Sequence, residues 1–395
     1  MVKLAIDGGA PVRDSFLPYG KQSIDEKDIE SVLSVIRSAM ITQGPMIERF
    51  ERKVAKSVGA KYAVAFSNGT AALHAAYYAA GLTKGDEVIT TPITFVATSN
   101  AALYVGAKPV FADIDEQTYN LSVDQVEKKI SINTRAIVSV DFAGQPVEYD
   151  RFRALAKKHN LVYISDGAHS LGADYKGKPV GTQADMTMFS FHPVKPVTTG
   201  EGGIIVTDSP EYAERLTLFR SHGIKKEGLF DYHGPWYYEM HDLGMNYRMT
   251  DIQAALGFTQ MDKLDSFMKR RREIATLYSE SFIEEKGIEI PNTHPDVLSG
   301  WHLYIVRFNT KCFSVDRRVI FEALRSENIG VHVHYIPVYL QPYYQQLGYD
   351  ADCPNANDWY EEVITLPIFP SMTNRDVTDV IEAVKKVVHY YRLDA

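Results

Sequence analysis

Residues 186–203, MTMFSFHPVKPVTTGEGG, decide how this chain is read. The first part, with Met186, Met188, Phe189 and Ser190, is a short and mostly apolar run, the pattern of a buried strand. The run then breaks into a loop carrying Pro193, Pro196 and three glycines, Gly200, Gly202 and Gly203. One lysine, Lys195, lies between the two prolines. A lysine held just past an apolar strand is partly desolvated, which lowers its pKa and makes its amine nucleophilic toward carbonyls. Taken alone it reads as an exposed loop lysine. Two upstream segments reverse that reading.

Residues 161–172 read LVYISDGAHSLG, a strand over 162–165 followed by Asp166 and His169 at its end. Ligands bind at the carboxyl ends of strands in open α/β sheets, so Asp166 is placed to meet a metal, a ribose hydroxyl or a ring nitrogen. Residues 63–73 read AVAFSNGTAAL: a strand, a Ser-Asn-Gly-Thr turn, then an alanine-rich helix. Such a turn aims free N–H groups and the helix dipole at a phosphate, which marks Asn68, Gly69 and Thr70. Phosphate turn, acidic strand end and loop lysine, in that chain order, form a specific constellation.

The 395 residues are enough for a large core and two domains. Apolar content of 45% and charged content of 23% are those of an ordinary globular protein. A net charge of −8 without a long basic run argues against nucleic acid as partner. Cys312 and Cys353 lie in different segments and form no CxxC, which fits a reducing compartment better than a disulfide framework. The opening MVKLAIDGGAPVRD has no apolar core of a signal peptide, and no apolar run reaches the ~20 residues of a membrane span. The expectation is a cytoplasmic protein that meets no membrane.

From residue 61 onward strands alternate with helices. Strands are expected over 63–66, 87–91, 108–112, 136–140, 162–166, 186–191 and 203–207, with helices over 71–80, 95–104, 123–130 and 149–159. This is the signature of a doubly wound, mostly parallel sheet in an α/β protein. No G-x-G-x-x-G follows the first strand, which counts against a dinucleotide site. Before the sheet, 23–37 reads as an amphipathic helix capped by Ser23, with Glu26 completing a capping box. The division expected is 1–260 for an arm and a large domain and 261–395 for a smaller one, entered through one long helix over about 251–285. In the smaller domain a strand over 331–335, VHVHY, sets His332 and His334 on one face, without further metal ligands nearby. The long segment 221–248 is rich in aromatic residues, and a loop of that length is usually functional. Beside it, Arg220, His222, Lys225 and Lys226 make a basic cluster able to attract a pyrophosphate.

The segments TTPITFVATSN (90–100), DGAHSLG (166–172), SFHPVKPVTTGEGG (190–203), FRSHG (219–223) and GMNYRMTDIQAALG (244–257) resemble the DegT/DnrJ/StrS sugar aminotransferases. The likeness runs from LPYG (17–20) to LPIFPSM (366–372). It implies the fold type I architecture of pyridoxal 5′-phosphate (PLP) enzymes, with Lys195 carrying the cofactor and Asp166 facing its ring nitrogen. Phe95 would stack on the ring, His169 would contact it, and Asn68, Gly69, Thr70 and Ser190 would hold the phosphate. Asn246 would reach the phosphate of a neighbouring subunit, so that a homodimer shares its sites. Tyr19, Thr42, His334 and Tyr335 would lie beside the sugar, with Arg220 and Arg248 as donors to a nucleotide-linked substrate.

A related group of dehydratases carries histidine at the lysine position; here it is Lys195, and the sequence sides with amino transfer, for which the resemblance implies L-glutamate as donor. The stretches SVDFAGQPVE (139–148) and HVHYIPVYLQPYYQQLGY (332–349) resemble members that aminate C4 of a UDP-linked 4-keto-6-deoxy-N-acetylhexosamine for pseudaminic acid. The alternatives are amino transfer to C3 or C4 of a dTDP-linked ketosugar, or a non-catalytic PLP-binding regulator.

Overall fold

In the computed structural model the described residues are 3–225 and 234–393, so Lys226 of the basic cluster lies outside them. Seven strands form the central sheet: β1 (Tyr62–Phe66), β2 (Glu87–Thr90), β3 (Lys108–Phe111), β4 (Thr134–Val140), β5 (Val162–Asp166), β6 (Met186–Ser190) and β7 (Gly203–Thr207). Their spatial order is β1-β7-β6-β5-β4-β2-β3. Strands β2 to β6 pair in parallel, whereas β7 runs antiparallel to both β6 and β1. The sheet is therefore mixed. The reason lies in the lysine loop: residues 191–202 contain no helix, and without a crossover helix the chain turns straight back beside β6.

Among the described residues up to Arg220, seven α-helices dress the sheet: α1 (Glu26–Ile36), α2 (Pro45–Val58), α3 (Gly69–Ala79), α4 (Ala97–Tyr104), α5 (Val123–Lys129), α6 (Tyr149–His159) and α7 (Pro210–Arg220). The strands bury both faces by alternation. Val64 and Phe66 of β1 pack with the α3, α4 and α7 side, and Ala65 packs with the α2, α5 and α6 side. Helix α3 is walled in by its own composition: Ala71, Ala72, Ala75, Ala76 and Ala79 are buried, and small side chains allow close approach to β6 and β7.

Beyond α7 the chain enters α8 (Asp251–Gln260) and α9 (Leu264–Phe282), which Met261–Lys263 separates as a single 3-10 turn. The one long helix expected here is broken where Gln260 and Lys263 both reach the buried carboxylate of Asp28. The division expected at residue 260 falls on this turn. A three-stranded antiparallel sheet follows, β8 (Ile288–Glu289), β9 (Tyr304–Phe308) and β10 (Val363–Leu366), with α10 (Arg317–Ser326), α11 (Pro354–Glu362) and α12 (Asn374–Tyr391). It has its own core, in which Ile274, Tyr278, Val306, Ile320, Val380 and Val384 are buried together.

Two local expectations are corrected. Helix α1 is capped by Asp25, whose side chain accepts from Asp28 N in a reciprocal capping box, so Ser23 and Glu26 do not play those parts. The segment 331–335 forms no strand; one bridge, His332 to Thr365, ties it to the small sheet. Among the described residues no helix is long and apolar enough to cross a membrane.

Candidate active site

The turn after β1 caps α3. Asn68 has extended backbone angles, and its side chain accepts from Ala71 N at 2.8 Å. Among the described residues no hydrogen bond takes the N–H of Gly69 or Thr70. These are the first-turn donors of a helix, open to an anion. Gly69 lies against Ser190 at the end of β6: a Cβ there would meet Ser190 Oγ at 3.2 Å. Close backbone approach thus brings the turn and the serine hydroxyl to one spot.

Asp166 closes β5 and is 4% exposed. Thr98 Oγ1 donates to its Oδ2 at 2.7 Å and Ala168 N to its Oδ1 at 3.1 Å. Burial raises its pKa, while these two bonds and the charge of Lys195 oppose the rise. Lys195 is the counterpart. Burial lowers its pKa from 10.5 to about 8; Asp166 works against that fall and Arg271 adds to it. Its amine meets a single side chain among the described residues, Nε2 of His302 at 3.4 Å.

Around the lysine stand three histidines, His169, His302 and His334, all pushed well below the usual imidazole pKa by burial first and by neighbouring charge second. They are neutral rings at physiological pH. The rings of His169 and His302 are 4.4 Å apart, and among the described residues Nδ1 of each is buried without a hydrogen-bond partner. Tyr335 Oη comes within 3.5 Å of His169 Nε2, and His334 Nδ1 pairs with Thr365 Oγ1 at 2.7 Å.

One cavity of about 740 Å³ joins these groups. Its wall contains Asn68, Gly69, Thr70, Phe95, Asp166, His169, Ser190 and Lys195, together with Tyr19, His334 and Tyr335. Phe95 is 60% exposed although it is a large apolar side chain, so its ring is a free face on the cavity rather than core packing. A flat, anionic, aldehyde-bearing pyridine fits these donors: an anion turn at one end, an apolar face, a carboxylate and an amine.

Four expected residues are outside this wall. Arg220 NH1 pairs with Glu51 at 2.6 Å and donates to Ala65 O at 2.9 Å, a structural role within the fold. Thr42 is exposed and bridges to Thr250 through its backbone. Asn246 is exposed and bridges to Ser221, and Arg248 is half-buried beside it. Sequence reasoning gave no role to His302, Thr98, Tyr247 and Glu201; the last three lie within the segments 90–100, 244–257 and 190–203 that carry the resemblance, and His302 does not. The one available signal for His302 was a polar residue opening the apolar run WHLYIV.

The model of the DegT/DnrJ/EryC1/StrS aminotransferase family matches residues 22–385. The chain belongs to that family. It is 42% identical over 381 residues to the spore coat polysaccharide biosynthesis protein SpsC of Bacillus subtilis, covering 95% of this chain and 98% of SpsC. It is 38% identical over 380 residues to the UDP-4-amino-4,6-dideoxy-N-acetyl-beta-L-altrosamine transaminase of Campylobacter jejuni, covering 94% of this chain and 99% of that one. Among solved structures, Helicobacter pylori PseC, an aminotransferase involved in the biosynthesis of pseudoaminic acid, superposes with a TM-score of 0.89 at 36% identity, over 96% of this chain and 100% of PseC. The chain is a sugar aminotransferase of fold type I, and PLP is its cofactor.

Proposed function

We propose that this aminotransferase moves the amino group of L-glutamate to C4 of a UDP-linked 4-keto-6-deoxy-N-acetylhexosamine. The observation that carries the reading is the single cavity in which Lys195, Asp166 and the 68–70 turn share a wall with Tyr19, His334 and Tyr335. Its volume lies within the range of small-molecule sites and leaves room for a sugar ring beyond the cofactor. The relatives named for UDP-sugar and pseudaminic acid chemistry support the substrate class.

PLP, when bound, supplies an electron sink for the carbon that loses its proton. The chain's own residues do the rest. Gly69 and Thr70 N–H groups, with the Asn68 and Ser190 side chains, would hold the phosphate at the start of α3. Asp166, fixed by Thr98 and Ala168, would hold a proton on the ring nitrogen. Lys195, with its amine lowered to about 8, is matched to take a proton from one carbon and return it to another near neutral pH. His169 would contact the ring from the side of Tyr335, and the aromatic groups Tyr19, His334 and Tyr335 would exclude water around the sugar.

A homodimer with shared sites belongs to the same reading. On α1, Ile29, Leu33 and Ile36 are 44%, 39% and 52% exposed at helical spacing, a stripe that a second copy would cover. Asn246, exposed and outside its own cavity wall, would serve the neighbour's phosphate.

The test is incubation with glutamate and a panel of UDP- and dTDP-linked ketosugars, read by product mass. A 4-amino product from the UDP-linked 4-keto-6-deoxy sugar is expected. Turnover of a dTDP-linked 3-keto sugar alone would discard this substrate and leave the aminotransferase standing.

A further inference from the structure

The amine of Lys195 is buried, yet no carboxylate takes it. Among the described residues its one side-chain hydrogen bond is to Nε2 of His302, at 3.4 Å. The charged and titratable groups around it are Asp166, Arg271, His169, His192, His302 and His334. Asp166 is committed to Thr98 and Ala168, and His334 to Thr365.

The fold spends several buried interactions on the placement of His302. Arg271 is 1% exposed, and its NH1 donates to the carbonyl oxygens of Trp301, His302 and Ile368 at 3.1, 3.2 and 2.9 Å. Trp301, just before the histidine, has φ 45°, a left-handed conformation unusual for a bulky residue. From the other side Leu303 N donates to Ala143 O at 3.2 Å and Gly300 N to Gly144 O at 2.8 Å. Gly144 has φ 97°, and a Cβ there would stand 2.9 Å from His302 N, Trp301 N and His169 O. Two elements thus clamp the backbone that carries this ring, and one of them also touches His169.

We propose that His302 is the partner of the free Lys195 amine: each time the lysine is released from the cofactor, the imidazole accepts its N–H through Nε2 and keeps it inside the cavity. This rests on the reading of Lys195 as the proton-carrying lysine. The physical reason for an imidazole is its neutrality. A carboxylate at this spot would lock the lysine as an ammonium, and an apolar residue would strand a buried N–H group. A neutral acceptor bonds the charged amine more strongly than the neutral one, so it offsets part of the burial effect without abolishing it. With Nε2 as acceptor, the neutral ring carries its proton on Nδ1, which is buried and has no hydrogen-bond partner among the described residues.

The test uses the full chain without PLP, so that its first readout does not depend on turnover. Competitive acetylation with trace acetic anhydride across pH, read by peptide mass spectrometry, gives the titration midpoint of Lys195. In His302→Phe the acceptor is gone while ring packing on His169 is kept. Its midpoint is expected to fall by about one unit, the scale of one hydrogen bond to a charged group. His302→Gln, which keeps an acceptor, is expected to hold the original midpoint. Should the Phe chain fail to fold, His302→Asn, too short to reach Nζ, takes its place with the same expected fall. In the loaded enzyme the Phe variant should lose about 10- to 100-fold in kcat with KM within about twofold. An unmoved Lys195 midpoint in both Phe and Asn chains would overturn the proposal and leave His302 a packing residue. Failure of the underlying reading would show differently: Lys195→Ala would keep its activity, whatever the acetylation midpoints are.

Discussion

At Lys195 two opposing effects meet, and burial wins. The amine falls from 10.5 to about 8 although Asp166 pulls it upward. A base must lose its proton before it can take one, so the activity set by this lysine is absent well below that value and appears as pH rises through it. The single-turnover rate with glutamate should therefore climb between about pH 7 and about pH 9, and a rate flat across that span would remove Lys195 as the base. Asp166→Asn should cost at least about 100-fold in kcat, because the amide cannot hold a proton on a facing nitrogen. The two expectations separate: the Asn variant loses rate at every pH, and the lysine profile keeps its direction. At this scale the sequence was informative wherever a residue sat at a recognisable strand end, as Asp166, Ser190 and the Asn68 turn do. His302 was not legible, because its position depends on Arg271 and on the 141–145 loop, which are distant in the chain and adjacent only in the fold.

At the scale of elements, Arg220 secures an edge of the central sheet. Strand β1 is an edge of the sheet, so the outward N–H and C=O of Ala65 need partners. Glu51 of α2 accepts from Ala65 N at 2.8 Å, and Arg220 at the end of α7 donates to Ala65 O at 2.9 Å while pairing with the same Glu51. The clasp fixes the strand just before the phosphate turn. Arg220→Ala should thus destabilise the fold by roughly 2 kcal/mol, less than a fully buried pair because both side chains keep some exposure. Urea unfolding measures this; an unchanged midpoint together with weakened nucleotide-sugar binding would restore Arg220 to the substrate. A similar argument applies to the 141–145 loop. Gly144→Ala meets three atoms at 2.9 Å in a positive-φ conformation, and should cost more than about 1 kcal/mol while displacing His302 and His169 together. Thermal unfolding gives the first part, and the acetylation midpoint of Lys195 the second. Alternating strands and helices were legible because their periodicity is local. The reversed β7, the break before α9 and the non-strand at 331–335 were not, since each is decided by what packs against it.

At the scale of the molecule, the proposed homodimer turns on which cavity Asn246 serves. Within one chain the residue is exposed, bridged to Ser221 and absent from the cavity wall. The segment that carries it nevertheless runs beside the phosphate turn: Tyr247 O accepts from Ser67 N at 2.8 Å, and Tyr247 itself lines the cavity. In the proposed homodimer, a side chain next to the turn but outside its own cavity wall would act across a two-fold interface, where the same patch faces its copy. Mixing subunits decides it. Lys195→Ala and Asn246→Ala chains should each be inactive, or nearly so, as homodimers. In a hybrid, one site combines both defects and the other combines an intact lysine with the partner's intact asparagine. Random reassortment makes about half the dimers hybrid, each with one working site of two, so about a quarter of wild-type activity should return. If Asn246 acted within its own chain, every hybrid site would still carry one defect. Confirmed hybrids without recovered activity would therefore place the asparagine in its own site, whereas an active Asn246→Ala homodimer would place it outside the chemistry altogether.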